Sequence, residues 1–294
     1  MRRVVASVVF DSPAAGRVSG VFESPPVRHV FVDVDERRMH LLDFGGSGPL
    51  ILLLHGILGH SWMWHDVAPR LTDVGHVLAL DFRGYGDSQW SREAQYTTDD
   101  HASDVQTVLG ALGGGAAAVV GFSSGGLVGL GLAARCPELV SSLVIVDIAP
   151  ASSLSETEVP AVPGEYGDHG QAVEAERRLS PRAAEHMLHA MALFGTRPVA
   201  DGKLARKHDG FFLSRWPFRA DQRWVELAAL EQPMLIVRAS ESPVLSAAEA
   251  ARMVRLARNA SLVEVQGSGH LVAVEQPHAL AEAIRAFLAD RGPR

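Results

Sequence analysis

The chain is poor in the features that would betray a macromolecular partner. It has one cysteine, Cys136, in 294 residues. A single thiol excludes an intrachain disulfide and a cysteine-built zinc centre, and it fits a reducing compartment. No apolar stretch approaches the ~20 residues that span a bilayer, so no stable membrane insertion is expected. The apolar run behind Arg2 and Arg3 is broken by Ser7 and closed by Asp11. That makes a weak signal peptide, and the expected location is cytoplasmic. There is no polybasic run, and the formal net charge is −7. Nucleic acid and anionic membrane are therefore poor partners. Glycine stretches such as Gly46-Ser47-Gly48 lack the phosphate-loop pattern, and no cofactor is expected. What remains is a small-molecule substrate, with the oligomeric state left open.

Apolar residues are plentiful, at 47%. They fall in short, nearly continuous runs: "PLILLLH", "HVLALD", "AAAVVGF", "LVSSLVIVDIA", "PMLIVRA" and the weaker "SLVEVQ". Such runs suit strands buried on both faces of a parallel sheet. "VRHVFVDVDERRMHLLDFG" reads as two further strands joined by a turn. Between the runs, Ala102, Val105, Val108, Leu109 and Leu112 share one helical face, as do Leu280, Ile284, Phe287 and Leu288. The alternation implies a doubly wound α/β fold, with a mostly parallel sheet of eight strands. Residues 27–151 and 231–294 form its core, and residues 1–26 a loose N-terminal extension. Residues 152–230 lack a strong strand signal. They contain "GQAVEAERRL", "PRAAEHMLHAMALF" and "RWVELAALEQ", with Phe211, Phe212 and Trp216 between. This stretch is expected to be a helical cap over the sheet.

Gly121-Phe122-Ser123-Ser124-Gly125 joins a predicted strand to a predicted helix. This is the setting of a nucleophile elbow, where a sharp turn presents one hydroxyl and glycines give room. A serine hydroxyl needs a base to take its proton. His270, on a Gly-Ser-Gly loop between the last strand and the last helix, is the candidate. A developing oxyanion needs preorganised donors. The loop His55-Gly56-Ile57 supplies the amide of Ile57, beside that of Ser124. His55 itself is read as a loop-fixing residue.

"HGILG", "LDFRGYGDS", "VGFSSGG", "LVIVDIAP" and "GSGHLVAVEQP" occur in this order. Through them the chain resembles the α/β-hydrolase superfamily from about residue 28 to 290, and within it the serine esterases. The resemblance implies the fold above and a Ser–His–acid triad. Most members place the acid after the strand that here reads "PMLIVRA". This chain has Ser242 there, and a hydroxyl cannot carry the counter-charge. Two carboxylates stay open. Asp147 ends "LVIVD", where some esterases and dehalogenase-like enzymes hold the acid; Glu241 neighbours Ser242. Two of the loops are similar to those of epoxide hydrolases and haloalkane dehalogenases. Those enzymes carry Asp at the elbow, and a serine there suits attack on acyl carbon instead.

The expected activity is hydrolysis of a small or medium apolar ester or lactone through an acyl-enzyme. A carbon–carbon bond hydrolase, or a cofactor-free cyclase or lyase, is the alternative on the same site, and a non-catalytic ligand-binding protein is the second. Trp62, Trp64, Phe122, Met187, Met191, Phe194, Phe211 and Phe212 are candidate pocket residues; for the two tryptophans core packing is an equal reading. His186 and His189 stand three apart beside Glu185. No third ligand is evident, and no metal is expected. Asp81, Arg83, Asp87 and Ser88 read as a structural polar loop.

Overall fold

The computed structural model describes residues 6–11, 27–34, 37–151, 162–213 and 221–289. The strands are β1 (Ala6–Asp11), β2 (Arg28–Val34), β3 (Arg37–Gly45), β4 (Leu50–Leu54), β5 (His76–Leu80), β6 (Ala117–Phe122), β7 (Val140–Val146), β8 (Glu165–Tyr166), β9 (Thr196–Pro198), β10 (Leu204–Arg206), β11 (Met234–Ala239) and β12 (Ala260–Val265). The helices are α1 (Thr98–Ala111), α2 (Ser124–Arg135), α3 (His169–Leu179), α4 (Glu185–Phe194), α5 (Trp224–Ala229), α6 (Ala247–Leu256), α7 (Val272–Glu275) and α8 (Pro277–Ala289).

The main sheet has the order β1-β2-β3-β5-β4-β6-β7-β11-β12. β1, β2, β3 and β5 are antiparallel neighbours. From β5 to β12 every pairing is parallel. The continuous apolar runs form the central strands because both faces are covered. Leu52 and Leu54 enter one core with Val105, Leu109 and Leu127 of α1 and α2. Ile51 and Leu53 enter the other with Trp62, Leu280 and Ile284.

The register aligns the strand ends. Leu54 pairs with Gly121, Phe122 with Val146, Val146 with Val237 and Ala239 with Val265. The loops that follow β4, β6, β7, β11 and β12 therefore leave from one edge. The chain moves from β4 outward to β5, then back across to β6. That reversal opens a crevice at the carboxyl ends of β4 and β6, where ligands of open α/β sheets bind.

Three expectations need correction. Part of the expected loose N-terminal extension, Ala6–Asp11, pairs with β2 as a ninth strand. The outer edge of β2 offers unpaired backbone groups for such a strand to meet. The region between β7 and β11 holds α3 and α4 as expected, and also a small sheet in the order β8-β10-β9. Strands of two and three residues are too short to leave an alternating pattern. α5 packs on α2 and α6, and its Leu227 joins the main core, so it is part of the core layer and not of the cap. Trp216 lies outside the described residues. Among those described, no helix is long and apolar enough to cross a membrane.

Candidate active site

Ser123 stands between β6 and α2 with φ 51° and ψ −125°, a costly conformation for a residue with a side chain. The glycines make the turn possible. A Cβ on Gly121 would lie 2.3 Å from the carbonyl oxygen of Gly125, and one on Gly125 would lie 2.6 Å from those of Leu54 and His55. The Ser123 amide donates to Val146 O (2.9 Å) and its carbonyl accepts from Gly126 (2.8 Å), so the strained backbone is held from both sides. The side chain does not cap α2. Its Oγ instead lies 3.1 Å from Nε2 of His270.

Asp147 follows β7 directly and is fully buried, with φ 55°. Its amide donates to Val237 O (2.8 Å), and its Oδ1 accepts from the amide of Ala239 (2.9 Å). Its Oδ2 lies 2.7 Å from Nδ1 of His270. The ionised carboxylate can only accept, so the Nδ1 proton points to Asp147 and Nε2 is left as an acceptor for the Ser123 hydroxyl. Glu241, the other candidate acid, takes no part in this chain of bonds. It is half-exposed and paired with Arg182. Ser242 accepts the amide of Val244 (3.0 Å).

The loop after β4 runs close to the elbow. A Cβ on Gly56 would lie 2.9 Å from the Phe122 ring and from Cβ of Ser123, so the backbone leading to Ile57 passes beside the hydroxyl. Ser124 is the first residue of α2, where helix amides have no intrahelical partner. His55 is buried; its Nδ1 donates to Gly56 O (2.7 Å) and its Nε2 accepts from the Phe82 amide (3.0 Å). Burial lowers its pKa, which suits a neutral loop-fixing ring. The far end of the loop is pinned by Asp81, whose Oδ1 accepts from the Ser61 amide at 2.6 Å. Burial opposes ionisation of Asp81, but the hydrogen bond and charge of His40 outweigh it and hold the carboxyl far below its usual range. Arg83 pairs with Asp104 and closes the same polar loop.

The expected pocket residues divide into two groups. Trp62 stacks on Phe194, with centroids 3.6 Å apart and planes at 6°. Trp62, Trp64, Phe122, Met187, Met191 and Phe194 belong to one apolar cluster, and the Phe122 ring lies 4.8 Å from that of His270. Phe211 and Phe212 are elsewhere. Phe212 stacks on Tyr85 (4.3 Å) and meets Tyr96 (4.6 Å), while Phe211 meets Tyr96 at 5.1 Å. They seat the inserted region on Tyr85 and Tyr96, and Gly84 leaves room for the Phe212 ring there. His186 and His189 diverge: one bonds Asp66 (2.7 Å), the other His169 (3.1 Å).

Sequence reasoning missed Glu275. This carboxylate, about nine-tenths buried, accepts from the Gly269 amide (2.7 Å), from Ser180 Oγ (3.1 Å) and from Ser268 Oγ (3.4 Å). It fixes the loop that carries His270 and ties it to the segment between α3 and α4. The available signal was an acid five positions after His270, just ahead of the Gln276-Pro277 helix start.

Comparison with known proteins agrees with this architecture. An esterase of Mycobacterium tuberculosis is 31% identical over 268 residues, covering 85% of this chain and 86% of its own length. The 2-(acetamidomethylene)succinate hydrolase of Mesorhizobium japonicum is 31% identical over 257 residues, 83% of this chain and 89% of its own. The crystal structure of an E-2-(acetamidomethylene)succinate hydrolase superposes with a TM-score of 0.82 at 28% identity, covering 90% of this chain and 99% of that one. That of the M. tuberculosis esterase gives 0.75 at 27%, covering 91% and 92%. Residues 49–277 match the alpha/beta hydrolase fold family, and by this match and these relatives the chain belongs to that family.

Proposed function

We propose that this member of the family is a serine hydrolase that cleaves a small or medium apolar carboxylic ester or lactone through an acyl-enzyme. One observation carries the reading: the unbroken sequence of bonds from Asp147 through His270 to Ser123, at 2.7 and 3.1 Å, drawn from three separate loops. Ser123 Oγ attacks the acyl carbon while His270 Nε2 takes its proton. Asp147 holds the ring and offsets the charge that forms on it. The amides of Ile57 and Ser124 receive the oxyanion, each worth roughly 3 kcal/mol of transition-state stabilisation. His270 returns the proton to the leaving alcohol. It then deprotonates a water that attacks the acyl-serine and gives that proton to Ser123 Oγ as the acid is released.

The Phe122 ring beside His270, backed by the apolar cluster of Trp62, Met187, Met191 and Phe194, supports an apolar acyl or alkyl group. An amide is a second acyl donor for the same groups. The relative named as a 2-(acetamidomethylene)succinate hydrolase, whose substrate bears an acetamido group, favours testing one. The experiment is a p-nitrophenyl ester assay with fluorophosphonate labelling. Wild type hydrolyses short-chain esters and is labelled once. Ser123→Ala loses both while keeping its melting temperature. Full labelling of Ser123→Ala would refute the elbow assignment.

A further inference from the structure

A second constellation lies on β2 and β3, on the far side of the Asp81 that pins the loop after β4. In that hairpin Phe31 pairs with His40 and His29 with Leu42. His29 and His40 are therefore diagonal neighbours on one face, within reach of each other. Nδ1 of His29 faces Nε2 of His40 at 2.8 Å. The other nitrogen of His40 is held by Asp81 Oδ2 at 2.7 Å, which turns the Nε2 lone pair toward His29. The turn after β5 adds Asp87, whose amide is anchored on the same Asp81 oxygen at 2.9 Å. Donor atoms of His29, His40 and Asp87 all lie within 4.8 Å of one another, the one such cluster of three among the described residues.

We propose that His29, His40 and Asp87 form a binding site for a divalent transition-metal ion. Two imidazoles and one carboxylate suit Zn²⁺, Co²⁺, Ni²⁺ or Cu²⁺, and not the oxygen-seeking Mg²⁺ or Ca²⁺. Asp81 behind His40 is the carboxylate that orients a metal-binding imidazole and raises its basicity. On binding, the ion takes the place of the proton between the two rings; that proton leaves to solvent while His29 takes one up on Nε2, so both rings remain neutral ligands. The nitrogens open from 2.8 Å to about 3.3 Å, as metal–nitrogen bonds of ~2.0 Å in a tetrahedral site require. His29 is only half-buried and has room to swing. Lys207 holds Oδ1 of Asp87 at 2.7 Å, so the ion takes Oδ2. Asp87 also lines an open surface cleft with Ser88, Trp90, Arg197 and Lys207, so the carboxylate is reachable from outside. The bound ion would staple the β2–β3 hairpin to the turn after β5.

The test is titration of the full chain with Zn²⁺ by calorimetry, and with Co²⁺ followed by its visible absorption. The expected result is one tight equivalent per chain, weakened at least tenfold by His29→Ala and by Asp87→Asn. Zn²⁺ raises the melting temperature of wild type and not of His29→Ala. His29→Gln keeps a polar partner for His40 and replaces the alanine variant if that one fails to fold. His169→Ala is the control, since His169 and His189 also face each other, at 3.1 Å. Absence of Zn²⁺ binding, equal binding by the His29 variants, or loss of binding in His169→Ala would each overturn the site.

Discussion

At the scale of single residues, the candidate site concentrates backbone strain. Ser123 and Asp147 both adopt positive φ, at 51° and 55°, without being glycine. Each costs of order 1–3 kcal/mol, and the surrounding sheet must hold it. The two positions are the ones where one residue must turn a side chain out of a strand end toward His270. Asp147→Asn keeps that shape but offers an amide where the ring needs an acceptor. Its turnover is expected to fall by about three to four decades, by the behaviour of triad acids. Glu241→Gln, which breaks only a half-exposed ion pair with Arg182, is expected to change turnover less than about twofold. Steady-state kinetics on one ester substrate decides between them, and a crippled Glu241→Gln would reverse the assignment. Ser123 and His270 were legible because glycines announce their loops. Asp147 was preferred in the sequence, but Glu241 could not be struck out, because both come after sheet strands. Which of them reaches Nδ1 is set by a strand register that no local pattern encodes.

At the scale of elements, the long buried strands were legible and the short pieces were not. β4, β6, β7 and β11 announce themselves as nearly unbroken apolar runs, since both faces are covered along most of their length. β8, β9 and β10 are at most three residues long, and the crossover from β4 to β5 is two 3-10 turns, Ser61–Trp64 and Ala68–Leu71, instead of a helix with a periodic face. Phe211 and Phe212 looked like pocket residues because they are large and sit in the insertion. Phe212 instead fills the gap beside Gly84, and both rings pack on Tyr96, joining inserted region to core. Glu275 has its effect at this scale, where one carboxylate locks the His270 loop to the segment before α4. Glu275→Gln replaces an acceptor oxygen with an NH₂ that faces the Gly269 amide or the Ser180 hydroxyl. Misplacement of the His270 loop by a fraction of an ångström is expected to cost about tenfold in kcat with little change in KM. A fall in thermal stability without a fall in kcat would make Glu275 structural only.

At the scale of the whole molecule, buried histidines set the acid limit of the fold, His55 and three others among them. His60, His101 and His208 have their pKa values lowered by burial from 6.5 to about 4, about 3 and about 3. Each has a ring nitrogen buried without a partner. In the native state they stay neutral where the unfolded chain would protonate them. Below pH 6.5 the unfolded state therefore binds more protons, and stability falls as pH falls until the folded values are reached. Above pH 6.5 they contribute no slope. Three such groups give about 4 kcal/mol per pH unit between roughly pH 6 and 4, set against a total stability of order 5–15 kcal/mol. The expected result is acid unfolding centred between about pH 4 and 5.5, above the range where carboxylates alone would drive it. His101→Phe tests the origin of the slope. The ring it replaces stacks on Phe82 at 4.9 Å, so an aromatic substitute keeps the packing and removes the proton site. Urea unfolding at pH 7, 6 and 5 should show the variant losing up to about 1.4 kcal/mol less stability per pH unit than wild type. A stability that stays level from pH 6.5 to 5 in wild type would mean that these rings accept protons in place, and that the core around them is wetter than its packing implies.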